Sequence, residues 1–145
     1  MLTSGNYGMS KHLQAYTMPI RVYFQDTDAG GVVYHASYVN FLERSRTEWL
    51  REHYGYSNAG LMQEFGVVFV VRSITLDYLR PALLDDLLSV SSQVKEIGRS
   101  RVTLLQSVMR GDEHLVDAVV HLVCVAVDSF KPVSVPELLR QQWKK

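Results

Sequence analysis

Val67-Val-Phe-Val-Val-Arg-Ser-Ile-Thr-Leu-Asp-Tyr-Leu79 is rich in β-branched and aromatic residues, and three runs of the same character follow it, at 87–97, 101–110 and 115–127. The connections carry Pro81 with Asp85-Asp86, then Gly98, then Gly111-Asp112, all turn formers. No helix-length segment separates the runs. They therefore predict four strands pairing antiparallel, as hairpins or a meander, rather than parallel βαβ units.

Upstream, alternation begins at Pro19, with Ile20, Val22 and Phe24 on one face and Arg21, Tyr23 and Gln25 on the other. That pattern predicts a half-buried strand. Residues 38–53 predict a helix: Tyr38, Phe41, Leu42, Ser45 and Trp49 recur at spacings of three and four, and Gly55 follows as a stop. The small Ser45 lets that face approach another element closely. Residues 57–65 read as a short helix or irregular turn. A last amphipathic helix is expected from Pro136, with Ser134 and Glu137 as an S-x-x-E start signal. A lone helix with one wide apolar face must lie across the sheet. Long apolar strands at a sheet edge are hazardous if uncovered, so a partner subunit is expected at an edge.

The 145 residues predict one domain at 17–145, behind a loose polar arm at 1–16. Fifteen basic residues balance fifteen acidic ones, which gives no electrostatic case for nucleic acid. The arm lacks the apolar run of a secretory leader. The longest apolar stretch, at 115–127, is too short to cross a bilayer and is broken by Asp117 and His121. The expected address is the cytoplasm, with no membrane insertion. Cys124 is the only cysteine, set among apolar neighbours, and reads as a core thiol. The histidines show no ligand spacing, so neither a metal nor another cofactor is expected.

Asp26-Thr-Asp-Ala-Gly-Gly31 is a turn-rich loop just ahead of the long helix. Glycines let backbone N–H groups approach a ligand, and a helix start offers unpaired donors. A carboxylate facing such donors suits acyl transfer, which needs an oxyanion stabilised. The same letters also fit an Asx turn at a helix entry with no chemistry. A calcium loop starting at Asp26 would need an oxygen ligand at its fifth position and Glu at its twelfth, but Gly30 and Ser37 stand there. A D-x-D phosphohydrolase matches locally, yet it needs parallel strands separated by helices.

The segment 21–38, RVYFQDTDAGGVVYHASY, with FLERSRTE at 41–48, resembles the Tol–Pal-associated (YbgC-like) acyl-CoA thioesterases, relatives of 4-hydroxybenzoyl-CoA thioesterase. The resemblance runs on through 69–72, 84–86 and 123–125, and covers roughly residues 19–132. It implies an α+β hot-dog fold, a five-stranded antiparallel sheet wrapped around one long helix. It also implies hydrolysis of acyl-CoA, or of an acyl carrier protein thioester, by homodimers that often pair into tetramers, with sites at the dimer interface and no metal.

Carried over residue by residue, the resemblance makes Asp28 the catalytic carboxylate and puts the His35 N–H, with its imidazole, beside the thioester oxygen. Gly31, Tyr34 and Glu43 are the candidate substrate contacts beside them: Tyr34 reads as pocket wall or core, and Glu43, two turns into the helix, faces either the acyl pocket or solvent, the ordinary place of a helical Glu. Arg99 and Arg101 match the place where relatives hold CoA phosphates, a task guanidinium groups suit. Asp26 is expected to brace the loop. The reading from another class is a non-catalytic acyl-CoA or acyl-carrier-protein binding partner, with Asp28 kept only for structure.

Overall fold

The computed structural model describes residues 15–144. Five strands, β1 (Tyr16–Arg21), β2 (Val67–Tyr78), β3 (Leu87–Ile97), β4 (Arg101–Arg110) and β5 (Glu113–Ala126), form one sheet in the order β1-β3-β4-β5-β2, every pair antiparallel. The long helix α1 (Ser37–Tyr54) packs against β1, β3 and β4, and α2 (Asn58–Phe65) and α3 (Glu137–Lys144) cover the rest of that side. Bulges in β2 and β3, and one where β4 meets β5, add local twist, which lets the sheet wrap α1.

Helix α1 ends where the sequence stops it. Gly55 takes φ +77°, and its N–H bonds the Arg51 carbonyl while the Tyr56 N–H bonds that of Leu50. Ser57 caps α2 through the Gly60 N–H. At α3 the Pro136 carbonyl takes the first bonds, from Leu139 and Arg140. The helix thus starts one residue later than expected, and Ser134 does not hold the cap position.

Three expectations are corrected. The first strand starts at Tyr16 and stops at Arg21, so the boundary drawn at residue 17 falls inside it; the rest of the expected arm, 1–14, lies outside the described residues. Phe24 is not on the buried face: it sits in a 3-10 turn (Phe24–Asp26) and is 81% exposed. Finally, β2 does not pair with β3. Their connection bonds instead to the loop after β1, through Val33 N–H to Ala82 O, Val22 N–H to Asp86 O and Asp85 N–H to Val22 O, which carries the chain across to β3. Beyond that crossover, β3, β4 and β5 are the expected meander.

The core has two halves. Phe41, Leu42, Leu88 and Val108 lie in one; Trp49, Leu104, Leu139 and Trp143 lie in the other. Between them runs a buried polar belt. Ser45 Oγ bonds the Val90 carbonyl and Ser92 Oγ, Gln106 Nε2 donates to Ser92 Oγ and the Leu42 carbonyl, and Arg46 donates to Gln106 Oε1. Burial pulls the Arg46 guanidinium below its usual pKa range, with Glu43 opposing.

Candidate active site

The loop between β1 and α1 is built around two carboxylates with different surroundings. Asp26 accepts the Tyr23 N–H on its side chain at 2.8 Å, and its carbonyl accepts the Tyr34 N–H and the Ser37 hydroxyl. It holds the loop to the helix start. Asp28 is exposed, and among the described residues its Oδ1 accepts the Gly30 N–H alone, at 2.8 Å. A Cβ at Gly30 would stand 3.2 Å from that oxygen, closer than most Cβ contacts, so glycine gives the carboxylate its room. Gly31, at φ +82°, turns the chain back so that the Asp28 N–H reaches the Val32 carbonyl.

At the helix start, the Ser37 N–H bonds Tyr34 O and the Val39 N–H bonds Ala36 O. The N–H groups of His35 and Ala36 between them meet no acceptor among the described residues. The His35 ring is exposed and lies against Tyr34, ring centres 4.4 Å apart. Tyr78, at the end of β2, donates its hydroxyl to the His35 carbonyl at 2.9 Å and packs edge-on to Tyr38. The Tyr38 hydroxyl in turn accepts the Ala82 N–H. An open cleft lined by Val33, His35, Tyr38, Tyr78, Leu79 and Pro81 lies beside this point. The sequence places Tyr78 in a strand but assigns it no role at the site, since a tyrosine at a strand end carries no motif.

Gly31, Tyr34 and His35 therefore share one loop with Asp28, while the other expected contacts lie elsewhere. Glu43 is exposed, two turns along α1, on the rim of a second cavity formed with Arg46, Trp49, Phe69, Val71 and Trp143. Arg99 sits in the β3–β4 turn and Arg101 opens β4, both exposed, and Arg140 holds the turn by donating to the carbonyls of Gly98 and Arg99. The Asp28 loop meets the sheet at Leu87, where β3 begins, and this turn follows Ile97, where β3 ends. Eleven extended residues separate the two, on the order of 35 Å along the strand. Asp28 and the arginines thus lie at opposite ends of the sheet.

Cys124 is fully buried, and burial pushes its thiol pKa up to about 11, the opposite of what a nucleophile needs.

A family model described as the thioesterase-like superfamily matches residues 22–143. The chain belongs to that superfamily. A thioesterase-like relative from Haemophilus influenzae, an acyl-CoA thioesterase YbgC, is 43% identical over 84% of this chain and 89% of its own length. The acyl-CoA thioester hydrolase YbgC of Escherichia coli O6:H1 is 42% identical over 90% of this chain and 96% of its own. Among solved structures, a probable thioesterase from Bartonella henselae superposes with a TM-score of 0.80 at 34% identity, covering 85% of this chain and all of that one. The expected hot-dog architecture is the one observed. The wholly antiparallel sheet is not the parallel sheet a D-x-D phosphohydrolase requires.

Proposed function

We propose that the protein hydrolyses acyl-CoA thioesters to free acid and CoA, with Asp28 as the reacting carboxylate and each site completed by a second copy of the chain. The observation that carries this reading is the exposed Asp28 carboxylate, spaced by Gly30, ahead of a helix start whose His35 N–H is open. Asp28 attacks the carbonyl or takes a proton from an attacking water. Direct attack expels CoA thiolate and leaves a mixed anhydride. Single turnover in ¹⁸O-water that puts label in Asp28 identifies this route, with water opening the anhydride at the Asp28 carbonyl; the general-base route places label in the acid alone. The His35 N–H and the helix dipole stabilise the developing oxyanion. His35 and Tyr34 wall the cleft, and the Gly31 backbone borders it.

The partner follows from the edges. β1 is short and carries Pro19, which has no N–H to donate. β2 runs twelve residues without proline, and Val71 at its middle is 47% exposed. It is the edge that needs covering. Two β2 strands paired antiparallel about their centres bring the Tyr78 end of one subunit to the Val67 end of the other. Tyr78 holds the His35 loop, and Val70 lies in register with Val123 and so with Arg101. Asp28 of one subunit then works with Glu43, Arg99 and Arg101 of its partner, the arginines taking CoA phosphates. Dimers pairing into tetramers, acyl carrier protein as an alternative thiol carrier and a cytoplasmic address belong to this same proposal.

The Gly30 N–H bond to Asp28 is also what a purely structural Asx turn makes, and it favours the non-catalytic binding reading. Asp28→Asn separates the two. Asn keeps the acceptor for the turn but can neither attack nor take a proton, so the proposal expects normal assembly and kcat lower by about 10²–10⁴-fold. Asp26→Asn, which exchanges the charged acceptor of the Tyr23 N–H for a neutral amide oxygen, should lower stability at least as much as turnover. Asp28→Asn activity within a few-fold of the parent, on a panel of acyl-CoAs, sinks the catalytic reading.

A further inference from the structure

Tyr78, the last residue of β2, reaches across 43 residues of sequence to donate its hydroxyl to the His35 carbonyl, at 2.9 Å. The position of its ring is set from two sides. It meets the Tyr38 ring edge-on, centres 5.6 Å apart, and Tyr38 is itself buried, with its hydroxyl on the Ala82 N–H. Just past Tyr78, the N–H groups of Leu79 and Arg80 both bond the Leu115 carbonyl, which fastens this end of β2 to β5. The sheet, not the loop, therefore places the hydroxyl.

What the hydroxyl touches is the entry to α1. The His35 carbonyl and the Ala36 N–H belong to one planar amide, and the Tyr34 carbonyl and the His35 N–H belong to the one before it. The Tyr34 carbonyl is held by the Ser37 N–H, and the His35 carbonyl by Tyr78. Each of the two open N–H groups is thus aimed by a bond at the far side of its own amide. Such a bond also polarises the amide and strengthens its N–H as a donor. Ala36, at the cap position of α1, brings no side-chain acceptor to compete for these donors.

We propose that Tyr78 is a positioning residue for thioester hydrolysis: through the His35 carbonyl its hydroxyl aims and strengthens the helix-start N–H groups that stabilise the oxyanion. This rests on the thioesterase reading and adds the Ala36 N–H to the donor named there. The alternative is a bond that only pins the loop.

Tyr78→Phe keeps the ring against Tyr38 and removes the hydroxyl; with the side chain half-exposed, the fold should stand without it. On a good acyl-CoA, kcat should fall about ten-fold, short of the 10²–10³ lost when an oxyanion donor is deleted outright, with KM unchanged. S-butyl-CoA, a thioether lacking the carbonyl, should inhibit parent and variant equally, because the donors act on charge that develops only during reaction. A loop pin predicts the reverse, a lower Tm with kcat unchanged.

A second readout needs no catalysis. In Tyr78→Phe the Ala36 amide resonance, carried by the peptide whose carbonyl loses its donor, should move more than any outside the helix start. An unmoved Ala36 resonance, an unchanged kcat, or a rise in KM that accounts for the whole loss overturns the inference and leaves the thioesterase reading standing. A parent that hydrolyses no acyl-CoA overturns that reading, and reduces the Tyr78 bond to a loop pin.

Discussion

The Asp26 carboxylate turns inward onto the Tyr23 N–H, while that of Asp28, two residues on, holds the Gly30 N–H at an exposed tip. The first contact also explains why alternation fails after Arg21. Capture of the Tyr23 N–H by Asp26, with the Asp26 N–H returning to Tyr23 O, folds the chain into a turn and leaves Phe24 in solvent. Period-two reading sees apolar spacing but not a side chain competing for the backbone. Cys124 was legible from its neighbours alone, and its environment gives a direct test. With the thiol pKa near 11 and the side chain buried, the folded protein at pH 8 should resist iodoacetamide for hours, whereas urea-unfolded chain labels within minutes. Mass spectrometry reads the difference. Rapid labelling of the folded form would mean that the β5 core opens readily.

Among the elements, α1 and β2 to β5 were readable because each is long and strongly patterned, and their ends moved by no more than two residues. The strand order was not readable. Nothing in residues 79–86 announces that their backbone groups will bond to residues 22–33 rather than close a hairpin, since that choice is made by distant partners. Ser45 was expected to permit close approach of helix and sheet, and it does so as part of a polar belt whose other members carried no signal. Gln106 ties that belt together, holding Leu42 O, Ser92 and Arg46 at once. Gln106→Leu fits by volume but strands the Arg46 guanidinium and Ser92. It should cost about 1–3 kcal/mol. At roughly 2–4 °C per kcal/mol for a chain of this size, calorimetry should find Tm lower by several degrees. An unchanged Tm would show that the belt is not what aligns α1 on the sheet.

For the whole molecule, what mattered was which ends of the sheet lie far apart, and that depends on register, which one-dimensional patterning does not contain. The candidate residues were legible one at a time, yet their division into a loop group and a far-turn group appears only once Arg101 is seen in the same row as Val123 and Val70. That division has a genetic consequence. If each site takes its loop from one subunit and its far turn from the other, a chain altered at Asp28 and a chain altered at Arg99 and Arg101 are defective in opposite halves. Mixed randomly, half the dimers contain one of each, and every mixed dimer holds one site in which both halves are intact. Co-expressing Asp28→Asn with the Arg99→Ala, Arg101→Ala double variant should therefore restore about a quarter of the parent's activity at low substrate, from two chains that separately show little. Activity no higher than the mean of the two separate preparations would place both halves of each site in one subunit. Two such alleles in one cell would complement each other, so a population could carry either defect unseen beside the other.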